Sequence, residues 1–263
     1  MKKFVLLSST LFLLAFAAAS ARTYSKTEVK TFDISPDGKI VIGNVNGSIK
    51  VEPWDKNQVM LETTKTVRAD DQEEADEYFG RLRVEIDNDN DYLEIRTRYP
   101  HEGWGGFFSW LFHGGSRYGG VEYVLKVPRS IHLEAGTTNG NVEISGVVGG
   151  VRGSSTNGQV NMDDVGGSVE GSTTNGNVNV TISSKVQFED IRLSTTNGSI
   201  DLSCPEDINA DVSAHTTNGS VRSEFPITIQ GGFGRKSLDG RINKGGSHID
   251  LHTTNGSIEI NKQ

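Results

Sequence analysis

Asp87-Asn88-Asp89-Asn90-Asp91 is the densest run of oxygen ligands in the chain, and its Asp-x-Asp-x-Asp spacing opens an EF-hand calcium loop. That loop needs glycine at its sixth position and a bidentate glutamate at its twelfth. Tyr92 and Arg98 stand there instead, so the run is read as a hairpin tip between Leu82, Val84, Ile86 and Leu93, Ile95. His215 and His252 hold equivalent places in two repeats, yet they are expected two coils apart, too far to share a metal ion. Asp163-Asp164 supplies two carboxylates, but glycosidic cleavage needs them facing across a groove, and this pair falls at a turn. Cys204, the sole cysteine, has no disulfide partner and precedes Pro205; it is read as a small buried or turn residue. No catalytic set, metal site or cofactor is expected, and the protein is expected not to be an enzyme.

Contact chemistry concentrates elsewhere. Trp104, Phe107, Phe108, Trp110 and Phe112 include two of the three tryptophans and three of the eleven phenylalanines, and glycines flank them. Residues 100–120 are no phosphate loop, because Gly-Lys-Ser/Thr is missing. Two readings stand: the segment folds back to cover a side or end of the molecule, or it is an exposed patch that contacts a partner or a membrane surface. On the second reading the five aromatic residues are the partner-binding candidates.

These residues are set on a repeating frame. Thr-Thr-Asn-Gly recurs at Thr137–Gly140, Thr173–Gly176, Thr195–Gly198, Thr216–Gly219 and Thr253–Gly256, with relatives at Ser155–Gly158 and Asn44–Gly47. The corner pairs are Asn46-Gly47, Asn139-Gly140, Asn157-Gly158, Asn175-Gly176, Asn197-Gly198, Asn218-Gly219 and Asn255-Gly256. From Asn139 onward the Asn-to-Asn spacings are 18, 18, 22, 21 and 37, the last read as two periods with a degenerate copy at Asp239-Gly240. A fixed period near 20 is the mark of a solenoid. Around each corner, apolar residues alternate with polar ones, as in Ile191, Leu193 before it and Ile200, Leu202 after it, which is the period of a strand. Each unit is therefore one coil of two strands, stacked in parallel on its neighbours about 4.8 Å away. Glycine at the corner is expected to supply positive φ. By parity the corner asparagine points inward, where it either forms a ladder with the asparagines above and below or serves turn chemistry alone.

Residues 1–21 read as a secretory signal peptide: Lys2-Lys3, an apolar run from Phe4 to Ala18, and Ala19-Ser20-Ala21 with cleavage after about Ala21. A periplasmic or secreted location follows. Formal charge is −8, and removing Lys2 and Lys3 leaves 24 basic against 34 acidic residues, or −10. That balance argues against sequence-independent nucleic-acid binding. No later stretch is long and apolar enough for a transmembrane span in the mature chain. Residues 22–263 are expected to form one β-solenoid domain, with divergent N-terminal coils and a cap over 22–127, the aromatic insert at 100–120, and regular Asn-Gly repeats over 128–263. Asp70–Gly80 reads as a short helix with acidic first turns and Gly80 as its stop, capping the open end of the stack. Stacking also predicts a surface column Glu134, Arg152, Glu170, Arg192, whose alternating charges would fix register.

Val121-Glu122-Tyr123-Val124-Leu125-Lys126-Val127-Pro128, followed by repeated Asn-Gly-x-Val-x-Ile units, resembles the bacterial putative-adhesin β-strand-repeat family, a domain of unknown function. The likeness covers roughly residues 28–262. It implies an all-β, right-handed, single-stranded β-helix or solenoid with coils of about 18–22 residues, in bacterial envelope proteins. The aromatic insert is not part of that pattern. The reading is a non-catalytic envelope or secreted solenoid acting as an adhesin-like binding or structural module, with an unknown envelope protein or glycan as partner. The alternatives are a carbohydrate-active solenoid enzyme and an accessory protein in envelope-stress signalling.

Overall fold

The computed structural model describes residues 22–99, 118–186 and 188–263. The expected signal peptide lies outside the described residues, as do Trp104, Phe107, Phe108, Trp110 and Phe112. Along the chain, β1 (Arg22–Asp33) precedes β2 (Lys39–Gly43), β3 (Ile49–Pro53) and β4 (Gln58–Ala69). Helix α1 (Gln72–Arg81) leads into β5 (Arg83–Asp89), β6 (Tyr92–Arg98) and β7 (Tyr118–Val127). Then follow β8 (His132–Asn139), β9 (Val142–Ser145), β10 (Val151–Asn157), β11 (Val160–Val165), β12 (Gly167–Asn175), β13 (Val178–Ile182), β14 (Phe188–Asn197) and β15 (Ile200–Cys204). The chain closes with β16 (Ala210–Asn218), β17 (Val221–Ser223), β18 (Ile227–Gly234), β19 (Ser237–Ile242), β20 (Ser247–Asn255) and β21 (Ile258–Lys262).

The molecule is an all-β solenoid of two sheets, ordered β5-β6-β2-β8-β10-β12-β14-β20-β16-β19-β18 and β1-β4-β7-β3-β9-β11-β13-β15-β21-β17. Each coil gives one strand to each sheet, and coil-to-coil pairing is parallel throughout, as in β10 with β12 and β11 with β13. The alternation in sequence is the cause: Val160, Met162, Val178, Val180, Ile200 and Leu202 are each at most 2% exposed, while their neighbours face water. Fully burying each such side chain contributes about 1.5–3 kcal/mol, which a core two side chains deep needs from every coil. Antiparallel strands close the ends: β1, β4 and β7 on one side, β16, β19 and β18 on the other.

Three expectations need correction. Asp239-Gly240 is not a coil; it lies in β19, antiparallel to β16. The last coil of the chain, β20/β21, is not last in space but sits between β14/β15 and β16/β17. Gly80 does not stop the helix, which runs to Arg81 and ends on an extended Leu82 cap. The helix starts at Gln72, two residues later than read, with Asp71 as its N-cap, the carboxylate accepting from the Glu74 amide at 2.9 Å. Helix α1 buries Ala75 and Phe79 and packs against β4 and β1 at the end of the stack.

Candidate functional site

The corners carry two hydrogen-bond ladders. On the outer edge, Asn139 Nδ2 donates to Asn46 Oδ1 at 2.7 Å, Asn157 to Asn139 at 2.8 Å, and Asn175 to Asn157 at 2.8 Å. The ladder continues from Asn197 to Asn175, Asn255 to Asn197 and Asn218 to Asn255, each at 2.9 Å. The asparagines do not point inward: Asn157, Asn175, Asn197, Asn218 and Asn255 are exposed. Parity fails because the strand bends at that residue. The second ladder is the buried one. The hydroxyls of Thr137, Ser155, Thr173, Thr195, Thr253 and Thr216 each donate to a neighbouring coil's corner glycine carbonyl, at 2.8–3.0 Å.

Corner glycine is required by contact as well as by φ. Gly47, Gly140, Gly158, Gly176 and Gly256 have positive φ, from +122° to +159°, as expected, while Gly198 and Gly219 do not. A Cβ on Gly140, Gly158, Gly176, Gly198, Gly256 or Gly219 would stand 1.8–2.3 Å from the carbonyl oxygen of the glycine stacked on it. The same carbonyl accepts the threonine hydroxyl, so the column has no room and no spare acceptor to give up.

One coil departs from this rule. Between β6 and β7 the Asn-Gly corner is replaced by residues 100–117, which lie outside the described residues. Both ends of that segment are fixed. Tyr99 stands where other coils have the corner asparagine, and its hydroxyl donates to the Asn46 carbonyl at 3.0 Å. Burial pushes its pKa up to about 12. Thr97 holds the buried-threonine place, within 2.9 Å of Asn44 Oδ1 and 2.7 Å of the Tyr123 hydroxyl. Asn44 Nδ2 donates to the Gly47 and Val121 carbonyls at 3.0 and 2.7 Å. On the far side the Val121 amide donates to Asn46 O at 2.8 Å. The residues that flank 100–117 therefore belong to a buried, fully partnered polar cluster.

The flat face of the eleven-stranded sheet carries the charge column. Register places Glu134, Arg152, Glu170 and Arg192 side by side and extends the alternation to Asp250, because β20 lies next to β14. Arg152 pairs with Glu170 at 3.0 Å and Lys39 with Glu134 at 3.5 Å. The same threading overturns the expected separation of His215 and His252, which are direct neighbours on β16 and β20. His215 Nε2 lies 3.1 Å from both Asp239 Oδ1 and Ser213 Oγ, and Ser213 Oγ donates to the same Asp239 oxygen at 3.0 Å. A nucleophilic relay needs serine and carboxylate on opposite ring nitrogens, and here both meet Nε2. Among the described residues no three His, Cys, Asp or Glu side chains are placed to hold a metal ion. Asp163 and Asp164 lie within β11 and not at a turn between strands, at a shift in its register with β13, with Asp164 at φ +52° and paired to Arg129 at 3.4 Å. Cys204 is buried, and burial pushes its thiol up to about 12. No helix among the described residues is long and apolar enough to cross a membrane.

The described residues also hold a groove of about 690 Å³ at the α1 end, between β1, β4, α1 and β5. Nothing in the sequence singled it out, since its walls come from four separate elements.

A family model described as Toastrack DUF4097 matches residues 129–261. No curated protein matches the chain. Among solved structures it is similar to a putative cell adhesion protein from Clostridium sporogenes ATCC 15579, at 12% identity and TM-score 0.50, over 91% of this chain and 100% of that one. A putative adhesin from Bacteroides fragilis NCTC 9343 aligns at 11% identity and TM-score 0.30, over 90% of this chain and 97% of that one. A putative lipid binding protein from Parabacteroides distasonis ATCC 8503 aligns at 12% identity and TM-score 0.34, over 90% and 96%. At such identity the first likeness speaks to fold.

Proposed function

The chain belongs to the Toastrack DUF4097 family through its regular coils, residues 129–261, and we propose that it works as a non-catalytic, adhesin-like binding and structural module of the cell envelope or exterior. The stacked coils are the rigid frame. The aromatic insert, with Trp104, Phe107, Phe108, Trp110 and Phe112, is the contact surface for an envelope protein or glycan. One observation carries this reading: the corner ladder is broken at a single coil, and there the most aromatic stretch of the sequence leaves between two anchored ends, Tyr99 and Val121. Frames of this kind position a recognition loop without reorganising on contact. The envelope location rests on Lys2-Lys3, the apolar run and Ala19-Ser20-Ala21.

The test uses the mature chain, a variant with a short Gly-Ser link in place of residues 101–117, and a variant with the five aromatic residues changed to serine. Both variants are expected to lose capture of a partner from native envelope extract while keeping the wild-type thermal midpoint. Undiminished capture by either variant, or a midpoint that collapses when only the aromatic residues change, would sink the reading.

A further inference from the structure

The two sheets do not end together. Beyond the coil β6/β7, the ten-stranded sheet carries two more strands, β4 and β1, while the eleven-stranded sheet carries only β5. The inner face of β1 thus lies over a strand position that the opposite sheet leaves unfilled. Helix α1 occupies part of it. The remainder is the groove of about 690 Å³, with Lys26, Glu28, Lys30, Thr63 and Lys65 on one wall and the free edge of β5, Arg83–Ile86, on the other.

Two properties of this groove converge on one kind of ligand. The first is the edge itself. Among the described residues the backbone of β5 pairs with β6 on one side only, and an unpaired edge is a template for another strand. Four edge residues span about 13 Å at the strand rise, enough to pair a segment of similar length. The second is charge. Lys26, Glu28 and Lys30 share the parity of Tyr24 and Phe32, which pack on the core, so all five face inward. Lys26 is directly opposite Lys65 in register, an arrangement that costs stability unless something negative lies between. The Lys65 ammonium donates to the Leu82 carbonyl at 2.6 Å, and no carboxylate pairs with it among the described residues. Its pKa is lowered, first by burial. The acids nearby offset the wall only in part, although Glu28 favours the charged form of Lys65. Glu28 meets Lys26 and Lys30 only at 3.9 and 4.0 Å, Glu85 is held by Arg98 at 2.9 Å, and Asp76 is the one acid lining the groove from α1.

We propose that this groove binds an extended peptide segment, which adds to β5 as the missing strand and presents acidic side chains at alternate positions to Lys26, Lys30 and Lys65. Inward lysines on an edge strand also discourage self-pairing. That role and this one agree, because the same charges repel a basic strand and admit an acidic one.

A fluorescently labelled hexapeptide alternating glutamate with threonine or valine is titrated into the mature chain and followed by anisotropy. Saturable binding is expected, with slowed amide exchange at Arg83–Ile86. Lys26→Glu with Lys30→Glu, both on exposed side chains, should weaken binding about tenfold or more without lowering the thermal midpoint. Lys65→Met should weaken it as well. The same peptide N-methylated at alternate residues should not bind, since it keeps the charges and loses the strand hydrogen bonds. Equal binding of the N-methylated peptide, indifference to the lysine changes, or absence of saturable binding each overturns the proposal.

Discussion

Gly176→Ala tests the contact on which the stack depends, at a corner whose φ of +158° also favours glycine. A Cβ there would lie 2.1 Å from Gly158 O and 2.7 Å from Gly158 C. Both are backbone atoms, so no side chain can swing away. Relief requires moving adjacent coils apart by about 1 Å, against a strand spacing of about 4.8 Å. The bonds crossing that gap are Gly158 N–H to Asn175 O at 3.0 Å, the Thr173 hydroxyl to Gly158 O at 2.8 Å, and Asn175 to Asn157 at 2.8 Å. Overpacking costs about 1–3 kcal/mol and each weakened hydrogen bond up to about 1 kcal/mol, so a loss of about 3–4 kcal/mol is expected. Gly43→Ala is the matched control. A Cβ there meets nothing within 4 Å, and the smaller unfolded-state entropy should raise stability by about 0.4–1 kcal/mol. Denaturant unfolding of the two variants, with m unchanged, should separate them by about 4 kcal/mol. If Gly176→Ala unfolds within about 0.5 kcal/mol of wild type, inside the range of an ordinary surface substitution, the steric argument is wrong.

Three further outcomes follow from the same geometry. Arg152→Glu sets three acids side by side, flanked by Glu134 and Glu170, and should cost about 1 kcal/mol, with Arg152→Gln losing less; an equal cost for the two variants would mean the column does not couple. Alkaline pH should destabilise the fold, because Tyr99 is raised from 10.0 to about 12 and Cys204 from 9.0 to about 12. Raised folded values mean stability that is complete below pH 9 and lost as pH climbs toward 12. A denaturation midpoint flat across that window contradicts it, and Cys204→Ala should remove the part that begins first. Deleting Ser247–Gln263 should strip amide protection from β14–β17 while β8–β11 keep theirs; unchanged protection would show that β14 and β16 can pair directly.

The coil and its two faces were legible because period-2 alternation and the 18–22 residue spacing are local properties of the chain. The asparagine ladder was half legible: the stacking of like residues follows from the period, but the side-chain direction does not, since alternation assumes a straight strand and Asn175 or Asn197 stands at a bend. The reason for the corner glycine was read only in part, for a related cause: positive φ holds at five of the seven corners, and the contact went unseen. Sequence reveals that a residue lacks a Cβ, but not that another glycine's carbonyl lies 1.8–2.3 Å from where one would be. The groove at β5 was invisible, because β1 and β4 come to overhang β5 through antiparallel pairings that no repeat encodes. The His215–His252 contact was lost with the order of the last two coils.

That order nevertheless has a cause written in the sequence. In the ten-stranded sheet every interior coil buries two apolar residues after its corner, such as Ile200 and Leu202, or Ile258 and Ile260, each at most 1% exposed. The coil after Asn218 offers Val221 and Ser223 instead. Set between two coils, Ser223 would put a hydroxyl where the other coils bury an aliphatic side chain. At the end of the stack it is only half-buried and accepts from the Phe225 amide at 3.1 Å. The last coil carries the two isoleucines and can be covered on both sides. Its outer face agrees, since β20 brings Asp250 against Arg192 where β16 would bring Ser213. Core polarity and surface charge therefore select the same threading. A repeat protein whose units look interchangeable gains a unique order from the few positions where they are not.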